Sequence, residues 1–473
     1  MTQQQSTTVL IIGILTLLSL IPWAIAFRRA RVFRDWDLTS TLVLLIGVLA
    51  NLPAAAYVIV SGREERLDPL GDAVIGFPGW ANRIGVVANG LMLLVCVLFM
   101  LGRLVFARAR INAAPLIAAM IVLTMSASSG LHGQPLWTPR ELTLLAALLA
   151  ASVARPGRSA LLGGAAVAMV YTVLGGIESL IEPSTVVRPC RSDNPCGDLG
   201  ILYAGVFSNE NIFSLLVVAS IPFVWLALRG RVRVLLAGYL AFVAVATGSF
   251  LASVTAIAAV ALLVLLRPRL ADQPGVAPTA EPGPTPPAVA PAAEVGPGRR
   301  LLAGAVLTGA IAVGFAVPLR PGHFGDLGLR AAIWDLAREE WTRSPLLGYG
   351  GGAWSGKYPG GEIPAASSPS LHNQWIDVLY AGGIVGLLLF AVLLAYLLFR
   401  GGTRGFPVAA CVLLPVLIAS VLERPWSFGL SNSLTFALVV ATLVPVQTRA
   451  RAGVGTTGRR PAKPARSGTM SDV

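Results

Sequence analysis

The sequence predicts an all-α fold, a polytopic bundle of about 12–14 transmembrane helices with one long extracytoplasmic loop that itself contains an amphipathic helix. Two observations carry this. Of the 473 residues, 55% are hydrophobic and only 12% are charged. Apolar stretches near the roughly 20 residues that a bilayer core demands also recur from end to end, whereas the strands of a soluble alternative are missing.

Thirteen apolar segments can be drawn, over residues 8–27, 38–60, 83–104, 112–127, 140–154, 159–181, 203–228, 232–247, 249–266, 301–318, 376–399, 405–422 and 427–447. The first could pass for a signal peptide, because Ala24-Ile25-Ala26 looks like a cleavage site. Its arginines follow the apolar run instead of preceding it, so a retained first helix with its N-terminus outside is the better reading. Between the ninth and tenth segments, residues 267–300 are rich in Pro and Ala and read as a disordered cytoplasmic linker. It divides N-terminal helices in 1–266 from C-terminal helices in 301–447, and a basic tail of 448–473 reads as disordered.

Basic residues set the expected orientation. With the segment after the first helix in the cytoplasm, the inner side receives 24 of the 36 Lys and Arg residues and 6 of the 23 Asp and Glu residues. The C-terminus is then cytoplasmic. The net charge of +13 follows from this topology, and nucleic acid is excluded as a partner. The same topology puts Cys190 and Cys196 outside, where an oxidising compartment favours a disulfide, and leaves Cys96 and Cys411 alone in apolar segments.

Soluble-type sequence concentrates in the outer loop 319–375. Within it, apolar and aromatic residues from Leu329 to Trp341 approach helical spacing, which predicts an amphipathic helix lying at the outer membrane interface. Other polar islands fall on the same side: "VFSNENIF" at 206–213, the "ATGSF" turn at 246–250, His372-Asn373, and "LERPWSFG" at 422–429. They are expected around one outward-facing cavity. Glu423 and Arg424 read as a structural pair at a helix end.

The order of these islands resembles the O-antigen ligase and polymerase superfamily of bacterial inner-membrane glycosyltransferases. The matching pieces are Phe207, Ser208, Asn209 and Asn211; Arg330 and Trp334; Pro345, Gly348 and Gly350; and His372, Asn373, Gly383, Gly386 and Leu387. They span roughly residues 203–400. The resemblance implies a metal-independent, cofactor-free transfer of a glycan from a polyprenyl-pyrophosphate donor to a glycan, lipid or protein acceptor at the outer face of the cytoplasmic membrane. The sequence agrees in offering no carboxylate cluster suited to Mg²⁺.

The chemistry needs a base for the acceptor hydroxyl and a cation for the departing pyrophosphate. His372 is the candidate base, since an imidazole with an ordinary pKa of about 6.5 can accept that proton; the bland alternative is a histidine anchoring the next helix. Arg330 is the candidate cation, because a guanidinium binds phosphate oxygens in pairs, and Trp334 one turn on shares its face. The alternative is a solvated charge among Arg338, Glu339, Glu340 and Arg343.

Arg338, Arg424, Asn373, Asn209, Glu210 and Asn211 are further candidates for binding substrate. Asn209 could equally cap the helix it precedes. His132 and His323 belong to no motif and read as ordinary surface histidines. One departure stands out: many members of the family it resembles carry an arginine after the Ser of the "TGS" turn, where this chain has Phe250. A flippase of lipid-linked sugars and a non-catalytic scaffold of an envelope polysaccharide complex are the competing functions.

Overall fold

A computed structural model describes residues 2–62, 66–67, 73–74, 78–106, 111–190, 196–268, 270, 295–320, 328–357 and 370–444. The interior of the expected linker, the expected tail and His323 lie outside the described residues. Within them the chain is almost wholly helical. In order come α1 Gln3–Val32, α2 Leu38–Ser61, α3 Gly79–Phe106, α4 Ala113–Leu131, α5 Pro139–Val153, α6 Arg158–Ile181 and the short α7 Pro183–Val186. Then follow α8 Glu210–Ala227, α9 Val232–Ala246, α10 Phe250–Leu266, α11 Pro297–Ala316, α12 Gly328–Trp341, α13 Ala353–Lys357, α14 Gln374–Phe399, α15 Gly402–Ala419 and α16 Thr435–Thr442. The only strands among the described residues are two-residue hairpin pairs: β1 Arg66–Leu67 with β2 Ala73–Val74, and β3 Val187–Arg188 with β4 Leu202–Tyr203.

Nine of the described helices are long and apolar enough to cross a membrane, and α9 and α10 are shorter apolar ones. The chain is thus built as a multi-pass membrane protein. Each of the thirteen apolar segments contains a helix, but two differ in extent from the sequence reading. The segment drawn from 203 becomes helical only at Glu210, because the Asn209 side chain accepts a hydrogen bond from the Asn211 N–H and fixes the helix start there. The last segment, drawn over 427–447, yields only the eight residues of α16, since Asn432 turns the chain by accepting from the Leu434 N–H.

Side-chain bonds identify the two ends of the bundle. At the basic end, Asp35 after α1 meets Arg158 of α6 and Arg229 after α8, and Arg400 after α14 donates to the carbonyl of Thr442. At the opposite end, Thr8 near the start of α1 donates to the Leu199 carbonyl, and Ser128 of α4 donates to that of Gly348. Ser431 donates its N–H there to the carbonyl of Arg140. The core between the ends is nearly all aliphatic, with Phe223, Phe390 and Phe436 fully buried.

One irregularity organises the opposite end. Helix α14 breaks at Gly383 (φ 61°, ψ −161°), a backbone region open essentially to glycine alone. The break frees backbone groups that nothing in an apolar setting would otherwise satisfy. The segment Pro345–Gly350 supplies the partners: Ile384 and Val385 donate to the carbonyls of Pro345 and Leu346, while Tyr349 and Gly350 donate to those of Tyr380 and Ala381. A Cβ on Gly383 would run into the Leu346 carbonyl, and one on Gly348 into that of Tyr380. Gly383 is thus the residue that lets a loop plug into a helix.

Candidate functional site

The site is assembled where α12, α14 and the segment after α15 meet. Asn373 caps α14, its Oδ1 accepting from the N–H groups of Trp375 and Ile376 at 2.9 and 3.0 Å. Its amide donates to the carbonyls of Gly314 and Val421 at 3.0 and 2.8 Å, and the residue is completely buried. Its side chain therefore pins α11, α14 and the α15 exit together.

His372 precedes this cap in a left-handed conformation, φ 47°, which a residue with a Cβ adopts rarely and at some cost in energy. Its Nδ1 lies 3.1 Å from Oε2 of Glu423. The other carboxylate oxygen, Oε1, accepts from Arg330 at 3.3 Å, and Arg330 also donates to the Leu422 carbonyl at 2.6 Å. Glu423 therefore bridges the two residues that the sequence singled out. The arrangement is partly open, with His372 21% and Arg330 29% exposed at their side chains, so both can be reached.

Burial alone would raise the Glu423 carboxyl. The hydrogen bond and charge of His372, followed by the charge and hydrogen bond of Arg330, outweigh it and hold the group below the usual carboxylate range. An ionised carboxylate only accepts, so Nδ1 holds its proton toward Glu423 in either state of the ring, and in the neutral imidazole the lone pair is left on Nε2. That is the tautomer a general base needs.

Trp334, one turn along α12 from Arg330, is fully buried and donates its Nε1–H to the Leu371 carbonyl at 2.6 Å. It fixes the residue immediately before His372. Ile333 and Ala337 are buried with it, in a cluster that includes Leu371 and Tyr380. The apolar face of α12, expected to lie on the membrane interface, is thus turned to the protein. Arg338 donates to the Leu319 carbonyl at 2.6 Å and pairs with Asp335. The pairing expected within "LERPW" is not the one formed: Glu423 joins His372 and Arg330, whereas Arg424 meets Asp377 of α14 at 2.9 Å.

The Asn209 island forms a separate centre. Asn209 caps α8, and Glu210, 2% exposed, makes an ion pair at 2.9 Å with Arg188 of β3. Asn211 contributes its backbone N–H to the cap and its carbonyl to Ser214. Cys190 and Cys196 are joined by a disulfide beside Gln5 of α1. Ser249 caps α10, and Phe250, where the family pattern has arginine, is 80% exposed.

Sequence reasoning read Glu423 first as the structural partner of Arg424 and passed over a polar cavity of about 700 Å³ between α4, α5 and the 340–357 segment. His132 and Tyr349 line it with ring centroids 4.8 Å apart. There Glu340 accepts from Lys357 at 3.0 Å and from the Tyr380 hydroxyl at 2.8 Å. A polar Glu-Arg-Pro interruption between apolar runs was the signal available for Glu423; the cavity depends on residues scattered from 129 to 380 and had none. Among the described residues, no three of His, Cys, Asp and Glu form a metal-ligating group. No protein-family model matches the chain, and no curated protein matches it.

Proposed function

We propose that this protein is a membrane glycosyltransferase, a ligase or polymerase, that moves a glycan from a polyprenyl-pyrophosphate donor to an acceptor hydroxyl at the outer face of a bacterial cytoplasmic membrane. The observation that carries the reading is the Glu423 carboxylate joining His372 and Arg330 at the membrane end of α14. Orientation follows the charge asymmetry, with the basic end of the bundle in the cytoplasm and the opposite end, which holds this site, outside.

In the reaction, Nε2 of His372 takes the proton of the acceptor hydroxyl as its oxygen attacks the anomeric carbon. The bond from that carbon to the pyrophosphate oxygen breaks, its electrons leave with the polyprenyl pyrophosphate, and the centre inverts. Glu423 holds the imidazole in the required tautomer and compensates the imidazolium that forms, a task analogous to that of the acid in a hydrolytic triad. Arg330 is oriented by Leu422 and Glu423 with further N–H groups available to the departing phosphates. Proton transfer to a placed base supports on the order of 10²–10⁴ in rate.

The test is a strain lacking the gene, complemented with the wild-type chain or His372→Ala. The account expects high-mass glycan only with the wild type, and in the variant strain an accumulation of donor that an added outer-face glycosidase can digest. Donor that resists this enzyme until the membrane is opened would instead mark a flippase, and normal glycan with the variant would remove the mechanism.

A further inference from the structure

At the basic end, far from the His372 group, a groove of about 560 Å³ runs between α1, α2 and α6. Its α1 wall carries a helical stripe, Leu20, Ala24, Phe27 and Arg31, spaced four, three and four residues apart, with Trp23 beside it. Eleven residues of α-helix rise about 16 Å, which matches the roughly 15 Å half-thickness of a bilayer's hydrocarbon core. The stripe therefore extends from a headgroup-level arginine to about mid-membrane.

The two ends of the groove differ in chemistry. Along its length it is apolar and aromatic: Trp23 stacks on Phe27 with centroids 5.9 Å apart, Trp36 meets Phe27 edge-on at 5.7 Å, and Met169 of α6 faces them. At the mouth, Arg31 is the only charged lining residue among the described residues, and it is exposed. The acids nearest in sequence do not neutralise it. Asp35 is engaged by Arg158 and Arg229, and the Asp37 carboxylate caps α2 through the N–H groups of Thr39 and Ser40. Arg28, Arg29 and Arg34 add positive charge around the same helix end.

We propose that this groove is a binding site for an anionic phospholipid of the leaflet at the basic end. One acyl chain lies along Phe27, Ala24 and Leu20, and the phosphate sits at Arg31. A leaflet-length apolar channel under an uncompensated cation matches a lipid tail and an acidic headgroup together, and Trp36 lies where aromatic residues commonly meet the headgroup region. Neither the position nor the chemistry depends on the proposed transferase activity.

The test uses the full chain, purified in detergent, exposed to equimolar phosphatidylglycerol and phosphatidylcholine with identical acyl chains, and weighed intact by native mass spectrometry. One saturable lipid per chain is expected, with phosphatidylglycerol retained at least about five-fold over phosphatidylcholine, an interaction difference of about 1 kcal/mol. Arg31→Gln should bring that ratio below about two-fold, whereas Arg28→Gln, outside the stripe, should leave it in place. Ala24→Trp should displace both lipids while the thermal midpoint shows the fold intact; should that variant not fold, the arginine pair decides alone. Equal retention of the two lipids by the wild type, an unchanged ratio in Arg31→Gln, or an equal fall in Arg28→Gln would overturn the proposal.

Discussion

Two glutamate–arginine pairs near non-basic helix ends look alike in sequence and differ in the structure. Glu210 and Arg188 are sealed, with side chains 2% and 11% exposed, beside a helix cap and a disulfide. Glu423 and Arg330 are partly open and share their carboxylate with His372, itself held in a left-handed backbone. An ion pair shut away from water holds segments together. One that leaves a cation and an imidazole partly open to solvent is the arrangement the proposed transfer would use.

Substitutions can break or sharpen this contrast. The largest effect is expected at the open pair: Glu423→Gln keeps a hydrogen-bond acceptor near His372 but removes the charge that compensates an imidazolium. Glycan transfer should fall on the order of 10²-fold or more while the protein still purifies as a monodisperse species. At the sealed pair the order of effects should invert. Arg188→Met takes the 2.9 Å ion-pair partner away from a buried Glu210 and should lower stability by about 3–5 kcal/mol, read as a fall in thermal midpoint. Arg188→Met with Glu210→Met should recover much of that loss; no recovery would mean that the pair itself is not the source.

Smaller effects follow away from the two pairs. Gly383→Ala places a Cβ against the Leu346 carbonyl at a glycine-only conformation and should cost about 1–3 kcal/mol by loosening the 345–350 segment, visible as earlier proteolysis there. The pH dependence of stability gives a further test of the open pair. The Glu423 pKa is depressed in the folded protein, so its contribution is complete above the ordinary carboxylate pKa of about 4.3 and is lost as pH falls through the folded value. Glu423→Gln should flatten that acid limb of the thermal-midpoint curve. Least is expected from Arg343→Ala, whose partner Glu339 is, like it, more than 70% exposed; stability should change by about 0–1 kcal/mol and transfer not at all.

Helix positions were legible because length and hydropathy in a membrane are nearly sufficient to make them. Capping could also be read in part: Asn209 was weighed as a cap and Asn373 as a site residue, and the side chains of both fix helix starts. His372 and Arg330 were visible as polar residues at helix ends. Their bridging through Glu423 was not, because it joins positions 93 and 51 residues apart, and local sequence favoured the adjacent Arg424 as partner. The break at Gly383 was hidden for a similar reason. A glycine in an apolar run looks like a packing contact until the inserted loop that needs it is seen.

The central claim is tested most directly by transfer in purified preparations. The wild type, His372→Ala and Arg343→Ala are reconstituted in nanodiscs and given labelled lipid-linked glycan extracted from the strain lacking the gene, with that strain's membrane lipids as the acceptor source. The account predicts equal transfer by the wild type and Arg343→Ala and a loss on the order of 10²–10⁴-fold in His372→Ala at an unchanged thermal midpoint. Transfer by His372→Ala at the wild-type rate would contradict it.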